Sequence, residues 1–80
     1  MPGAQSVWPQ EQLRSLLRSI RTEAGLTQTD VARRLKQPQS FVSKYESGER
    51  RLDVLELREV CRAIGVPLPE FIESLEQALR

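Results

Sequence analysis

The stretch Leu26-Thr-Gln-Thr-Asp-Val-Ala-Arg-Arg-Leu-Lys-Gln-Pro-Gln-Ser-Phe-Val-Ser-Lys-Tyr-Glu-Ser-Gly-Glu-Arg-Arg51 decides how this chain folds. Thr27 followed three positions later by Asp30 makes a capping-box pattern, and the acidic residue also suits the positive end of a helix. Val31, Ala32 and Leu35 then supply the apolar positions of a helix of about two turns. Lys36-Gln37-Pro38 breaks it, because proline disfavours helix in the residue before it yet fits the first turn of the next. The spacing predicts a further short helix over Gln39 to Ser47, in which Val42 and Tyr45 face a core and Gly48 is the stop. Gln39, Ser40, Ser43, Lys44 and Ser47 fall largely on the other, polar face.

Working outward, residues 1–8 contain Pro2, Gly3 and Ser6 without a charge and read as a flexible arm. Pro9 fits the first turn of a helix, and Leu13, Leu17, Ile20 and Ala24, with Leu16 alongside, give that helix an apolar stripe that ends at Gly25. Downstream, Gly48 to Arg51 reads as a turn, and Asp53 with Glu56 repeats the capping-box pattern ahead of Leu57, Val60, Cys61 and Ile64. Gly65 ends this fourth helix. A fifth is expected from near Pro69, where Leu68, Phe71, Ile72, Leu75 and Leu79 trace an apolar stripe between Glu70, Glu73, Glu76 and Gln77. Five helices and no strand make the fold all-α.

Length and composition narrow the chemistry. Eighty residues are one small domain, able to bury about two-thirds of the surface of its unfolded chain. With no His and the single Cys61, the chain has no Cys/His zinc site, no internal disulfide and no His-assisted nucleophile; a metal is left only carboxylates. Neither catalytic nor metal residues are expected, nor a cofactor. Cys61, among Leu57, Val60 and Ile64, reads as a small buried apolar residue. No apolar run approaches the roughly 18 to 20 residues of a membrane span, and residues 1–9 lack the basic start and apolar centre of a signal peptide, so the expected location is cytoplasmic.

The formal net charge of +1 hides an uneven distribution. Residues 33–51 carry Arg33, Arg34, Lys36, Lys44, Arg50 and Arg51 against Glu46 and Glu49, a net +4, whereas residues 52–80 sum to −3. The cations bracket two short helices, with Gln39, Ser40 and Ser43 between them. Cations at an edge suit phosphates, and small hydrogen-bonding side chains in the middle suit base edges.

Leu26-Thr-Gln, Val31-Ala32, Val42-Ser-Lys-Tyr-Glu-Ser-Gly and Ile64-Gly65-Val66, together with Arg21, closely resemble the Xre/Cro-like helix-turn-helix family of phage and bacterial repressors. The resemblance covers about Arg14 to Val66. It implies a five-helix, lambda-repressor-like domain over residues 9–66, with the helix-turn-helix at helices 2 and 3, and a C-terminal helix over 67–80 for packing and possible dimerisation. It also implies a sequence-specific regulator of transcription, a repressor or autoregulator, whose third helix enters the major groove of double-stranded DNA. Gln39, Ser40, Ser43 and Lys44 then match base-contacting positions, and Gln28, Ser47, Arg50 and Arg51 backbone-contacting ones, with Gln28 placed to buttress Gln39. Arg21 and Glu46 match a shielded ion pair between helices 1 and 3. Phe41 either packs beside helix 2 or touches a thymine methyl. Relatives often have Gly at the position of Lys36, so the turn here either tolerates a non-glycine residue or takes another backbone form.

A homodimer is expected, since one helix-turn-helix reads only a few base pairs, with Leu75 and Leu79 as the candidate surface. The alternative from another class is a protein-interaction module, an antitoxin or coactivator-like subunit, which needs no base readers on helix 3. An enzyme has only Glu70, Glu73 and Glu76 to offer, and a spacing of three along one helix is what a solvated face shows.

Overall fold

A computed structural model describes the backbone of residues 2–80 and the side chains of residues 8–80. Five α-helices follow one another: α1 (Pro2–Glu23), α2 (Gln28–Leu35), α3 (Gln39–Ser47), α4 (Val54–Ile64) and α5 (Leu68–Ala78). Both capping boxes form. Thr27 Oγ1 accepts from the Asp30 N–H and the Asp30 carboxylate accepts from the Thr27 N–H; Asp53 and Glu56 do the same for α4. One boundary differs from the sequence reading. α1 begins at Pro2, so the segment 1–8 expected as a flexible arm is helical from Pro2 to Trp8, with Met1 outside the described residues. Pro9 lies inside the helix; its missing N–H removes one intrahelical bond, but its fixed φ is itself helical.

Each helix contributes to one core. Leu17 of α1, Val31 of α2, Val42 and Tyr45 of α3, Leu57, Val60, Cys61 and Ile64 of α4 and Phe71 of α5 are buried together. Burial at this level is worth about 1.5–3 kcal/mol for each large apolar side chain, which offsets the ordering of helices too short to persist alone. Cys61 is fully enclosed, and burial pushes its thiol up to about 11, as expected of a packing residue. α5 lays Phe71 into this core, and Leu75 packs against its edge.

Three of the helices are stopped in a common way. After α1 the Gly25 N–H donates to Thr22 O and the Leu26 N–H to Arg21 O; after α4, Gly65 and Val66 repeat the pattern on Arg62 and Cys61. After α2 the same two bonds run from Lys36 to Arg33 O (3.2 Å) and from Gln37 to Ala32 O (3.0 Å). Lys36 therefore takes the left-handed conformation, φ 57° and ψ 41°, where the other two turns have glycine. The turn tolerates a non-glycine residue, at the steric cost of a Cβ close to the carbonyl oxygen.

α1 and α3 are tied by charge as well as by packing. Arg21 Nε donates to Glu46 Oε2 at 2.7 Å and Nη2 donates to Oε1 at 3.1 Å, while Nη1 donates to the Leu26 carbonyl at 2.8 Å. The two side chains are only 10% and 5% exposed, so each is the other's substitute for water. Arg14, one turn and more upstream, crosses the end of α3 at Gly48, where a Cβ would come within 2.9 Å of its guanidinium carbon.

Two outcomes follow for stability. Lys36→Gly relieves the left-handed strain and raises stability by about 0.5 to 1 kcal/mol after the extra freedom of glycine in the unfolded chain is subtracted. Thermal melting reads this as a rise of several degrees; a lower melting temperature would contradict it. Arg21→Ala strands the Glu46 carboxylate in the interior and costs about 3–5 kcal/mol. Urea denaturation followed by circular dichroism should show a large loss, and an unchanged midpoint would refute the structural importance of the pair.

Candidate nucleic-acid interface

α3 is amphipathic over only nine residues, and its inward side is fully committed. Val42 and Tyr45 enter the core and Glu46 enters the ion pair, so the rotation of α3 about its axis is fixed. That rotation leaves Gln39, Ser40 and Lys44 exposed and Ser43 half-buried, all on the outward side. The polar face read from the sequence is therefore a face in space, and α2 lies beside it.

A hydrogen-bonded chain links the core to this face. Gln28, the first residue of α2, donates through Nε2 to Glu46 Oε1 at 2.9 Å. Its Oε1 accepts from Gln39 Nε2 at 2.6 Å. Gln28 thus buttresses Gln39 while resting on Glu46. The second N–H of the Gln28 amide is left for another acceptor.

The basic residues divide into two groups. Lys44 and Arg51 are exposed and make no ion pair among the described residues. Ser47 is also exposed; its hydroxyl donates to the Lys44 carbonyl at 3.1 Å within the last turn of α3. Arg50, expected on a phosphate, is paired within the domain and keeps a side chain 40% exposed. Its Nη2 and Nη1 donate to Glu56 Oε2 and Oε1 at 2.7 and 3.1 Å, Nη1 also donates to the Arg51 carbonyl, and the guanidinium sits 4.7 Å over the Phe41 ring. The reason is the fork geometry of arginine, which matches a carboxylate bidentately and stacks on an aromatic face. The Arg50 hydrogen bonds, and then the Asp53 N–H, hold the Glu56 carboxyl below its ordinary range. This contribution to folding is present above the unfolded-state pKa and is lost as pH falls through the depressed folded value.

Phe41 is likewise a packing residue, edge-on to Tyr45 with ring centroids 5.7 Å apart. Arg34, whose role the sequence left open, donates from Nη1 to the Ala63 carbonyl at 2.7 Å and so holds the end of α4. No periodicity signals the Arg34 contact, because it joins positions 29 residues apart in the chain. Leu75 and Leu79, expected at an interface between subunits, are both half-buried, and Leu75 packs on the core. The most exposed large apolar side chains among the described residues are Leu55 (71%) and Val54 (63%), in the first turn of α4. Capping places them there: Asp53 starts the helix, and the inward positions begin only at Leu57.

A protein-family model described as helix-turn-helix matches residues 17–71. The chain is 33% identical over 61 residues to an uncharacterized transcriptional regulator in the ATPase CF(0) region of Rhodospirillum rubrum, over 76% of this chain and 56% of that protein. It therefore spans little more than half the length of that relative. An XRE-family like protein from Pseudomonas syringae pv. tomato str. DC3000 has a similar structure, with a TM-score of 0.87, 40% identity and 98% of both chains covered. A point variant of the restriction-modification controller protein C.Esp1396I, bound to its highest-affinity operator site, superimposes with a TM-score of 0.81 at 25% identity over 89% of this chain and 93% of that one. With a family match across most of its length and the same five-helix architecture as these proteins, the chain belongs to the Xre-like helix-turn-helix family.

Proposed function

We propose that the protein is a sequence-specific regulator of transcription, a repressor or autoregulator, that binds double-stranded DNA by placing α3 in the major groove and acts by occupancy, without catalysis or a cofactor. The observation that carries this reading is the outward face of α3. Gln39, Ser40 and Lys44 are exposed together in the middle of the one strongly basic segment, on a helix whose rotation is fixed from within. A helix of this size fits the roughly 12 Å major groove, where Gln pairs with adenine N6/N7 and Lys with guanine O6/N7. Ser43, at the edge of the face, completes the base-contacting set.

Gln28, Ser47 and Arg51 hold the sugar-phosphate backbone in this reading. Arg50 joins them: Glu56 and Phe41 hold its guanidinium in place while its side chain stays 40% exposed. The operator-bound state of C.Esp1396I supports the same use of the fold.

The protein acts as a homodimer, since two copies related by a two-fold axis double the length of sequence read and set half-sites about 34 Å apart. Leu75 and Leu79, half-buried on α5, and Val54 and Leu55, which the domain's own core leaves uncovered, are the apolar surfaces offered for this contact.

Selection of bound duplexes from randomised DNA tests the reading directly. An inverted repeat with half-sites about one helical turn apart is expected; no enrichment of any sequence, with a concentration-independent monomer mass in light scattering, would favour the protein-interaction alternative. On the selected duplex, Lys44→Ala should cost about 1–3 kcal/mol and relax the preference at one position, whereas Arg51→Ala should weaken all sequences alike and lower the salt slope by about one. Arg50→Ala should lower the melting temperature, through loss of the pair with Glu56, as well as the salt slope. If Lys44→Ala kept the sequence preference intact, α3 would not be reading with this face.

A further inference from the structure

We propose that Glu46, which lies beneath the reading face, determines the base accepted by Gln39 by fixing the direction in which two amides point. The proposal rests on the reading of Gln39 as a base-contacting residue.

The hydrogen-bonded relay starts at the buried charge. Both oxygens of the Glu46 carboxylate accept hydrogen bonds from Arg21, so Glu46 acts as an acceptor. Gln28 must turn its NH₂ toward it, and does so at 2.9 Å. The carbonyl oxygen of the Gln28 amide is thereby aimed at Gln39, and this too is only an acceptor. Gln39 must in turn present its NH₂ to Gln28, at 2.6 Å. One N–H and the carbonyl oxygen of Gln39 remain, and they are exposed on the outward face.

An outward donor beside an outward acceptor complements adenine, whose major-groove edge offers the N7 acceptor and the N6 amino donor. Guanine offers two acceptors, N7 and O6, and the fixed carbonyl of Gln39 would meet one of them. A solitary glutamine turns its amide over at little cost and can meet guanine through its NH₂ alone, in a single hydrogen bond with the oxygen turned away. Here the turnover is opposed at every link, because reversing Gln39 would set two carbonyl oxygens against each other, and reversing Gln28 would set one against a carboxylate. Glu46 is thus a positioning residue for base choice, in addition to its place in the ion pair.

The test uses the intact protein and single-base variants of the duplex recovered by selection. Gln39→Ala first identifies the base pair that Gln39 reads. Glu46→Gln then supplies a group that presents either an N–H or an oxygen, and at that base pair the preference for adenine should fall about tenfold while the position read by Lys44 keeps its preference. Gln28→Met leaves the Arg21–Glu46 pair intact and breaks the chain one link later, which covers the case in which Glu46→Gln does not fold. It should relax the same base pair, and Glu46→Gln added to it should relax that pair no further. Retention of the full adenine preference in Gln28→Met, or a second loss on adding Glu46→Gln, would overturn the proposal with Gln39 still a reader. If Gln39→Ala relaxes no position, both the relay and the assignment of Gln39 fail.

Discussion

The Arg21–Glu46 ion pair is the constraint on which the functional surface depends. α3 has nine residues, too few to persist as a helix in water, so its place must come from its neighbours. Val42 and Tyr45 give it apolar attachment, but apolar contacts tolerate small rotations. A carboxylate bound through two hydrogen bonds, with almost no water available, does not. Buried ion pairs gain little net stability over apolar packing of the same shape, because both charges leave water. Here the pair gives orientation: it fixes the inward side of α3, and hence which side chains face outward.

The distribution of charge adds a direction to that orientation. Glu70, Glu73 and Glu76 are exposed on α5, and residues 52–80 carry a net −3. Residues 33–51, at +4, include the outward face of α3. A polyanion is attracted by the basic segment and repelled by the carboxylates of α5, which favours approach by the face of α3.

How much of this was legible in the sequence varies with the range of the interaction. The helices and their stops were readable because capping boxes at Thr27 and Asp53 and the ends at Gly25, Gly48 and Gly65 are local patterns. The outward set on α3 was readable because Val42 and Tyr45 mark the inward side. Arg21 and Glu46 are 25 residues apart and were reached through family resemblance, and the link from Glu46 to Gln28 was not anticipated. The pairing of Arg50 with Glu56 was not legible, because a basic residue after the reader helix has the same local pattern whether or not a carboxylate six positions on holds it. Pro9 suggested a helix start that lies further upstream, since a proline's fixed φ suits a first turn and also persists inside a helix. Val54 and Leu55 gave no signal as a surface, because their exposure is set by where Asp53 starts α4.

Nuclear magnetic resonance of the protein titrated with its selected duplex tests the central claim most directly. The account predicts that the largest chemical-shift changes fall on Gln28, Gln39, Ser40, Ser43 and Lys44, with the Arg21 side-chain Nε–H retained in its hydrogen bond and α5 undisturbed. Changes centred on α4 and α5 with α3 unaffected, or loss of the Arg21 Nε–H signal on binding, would contradict it.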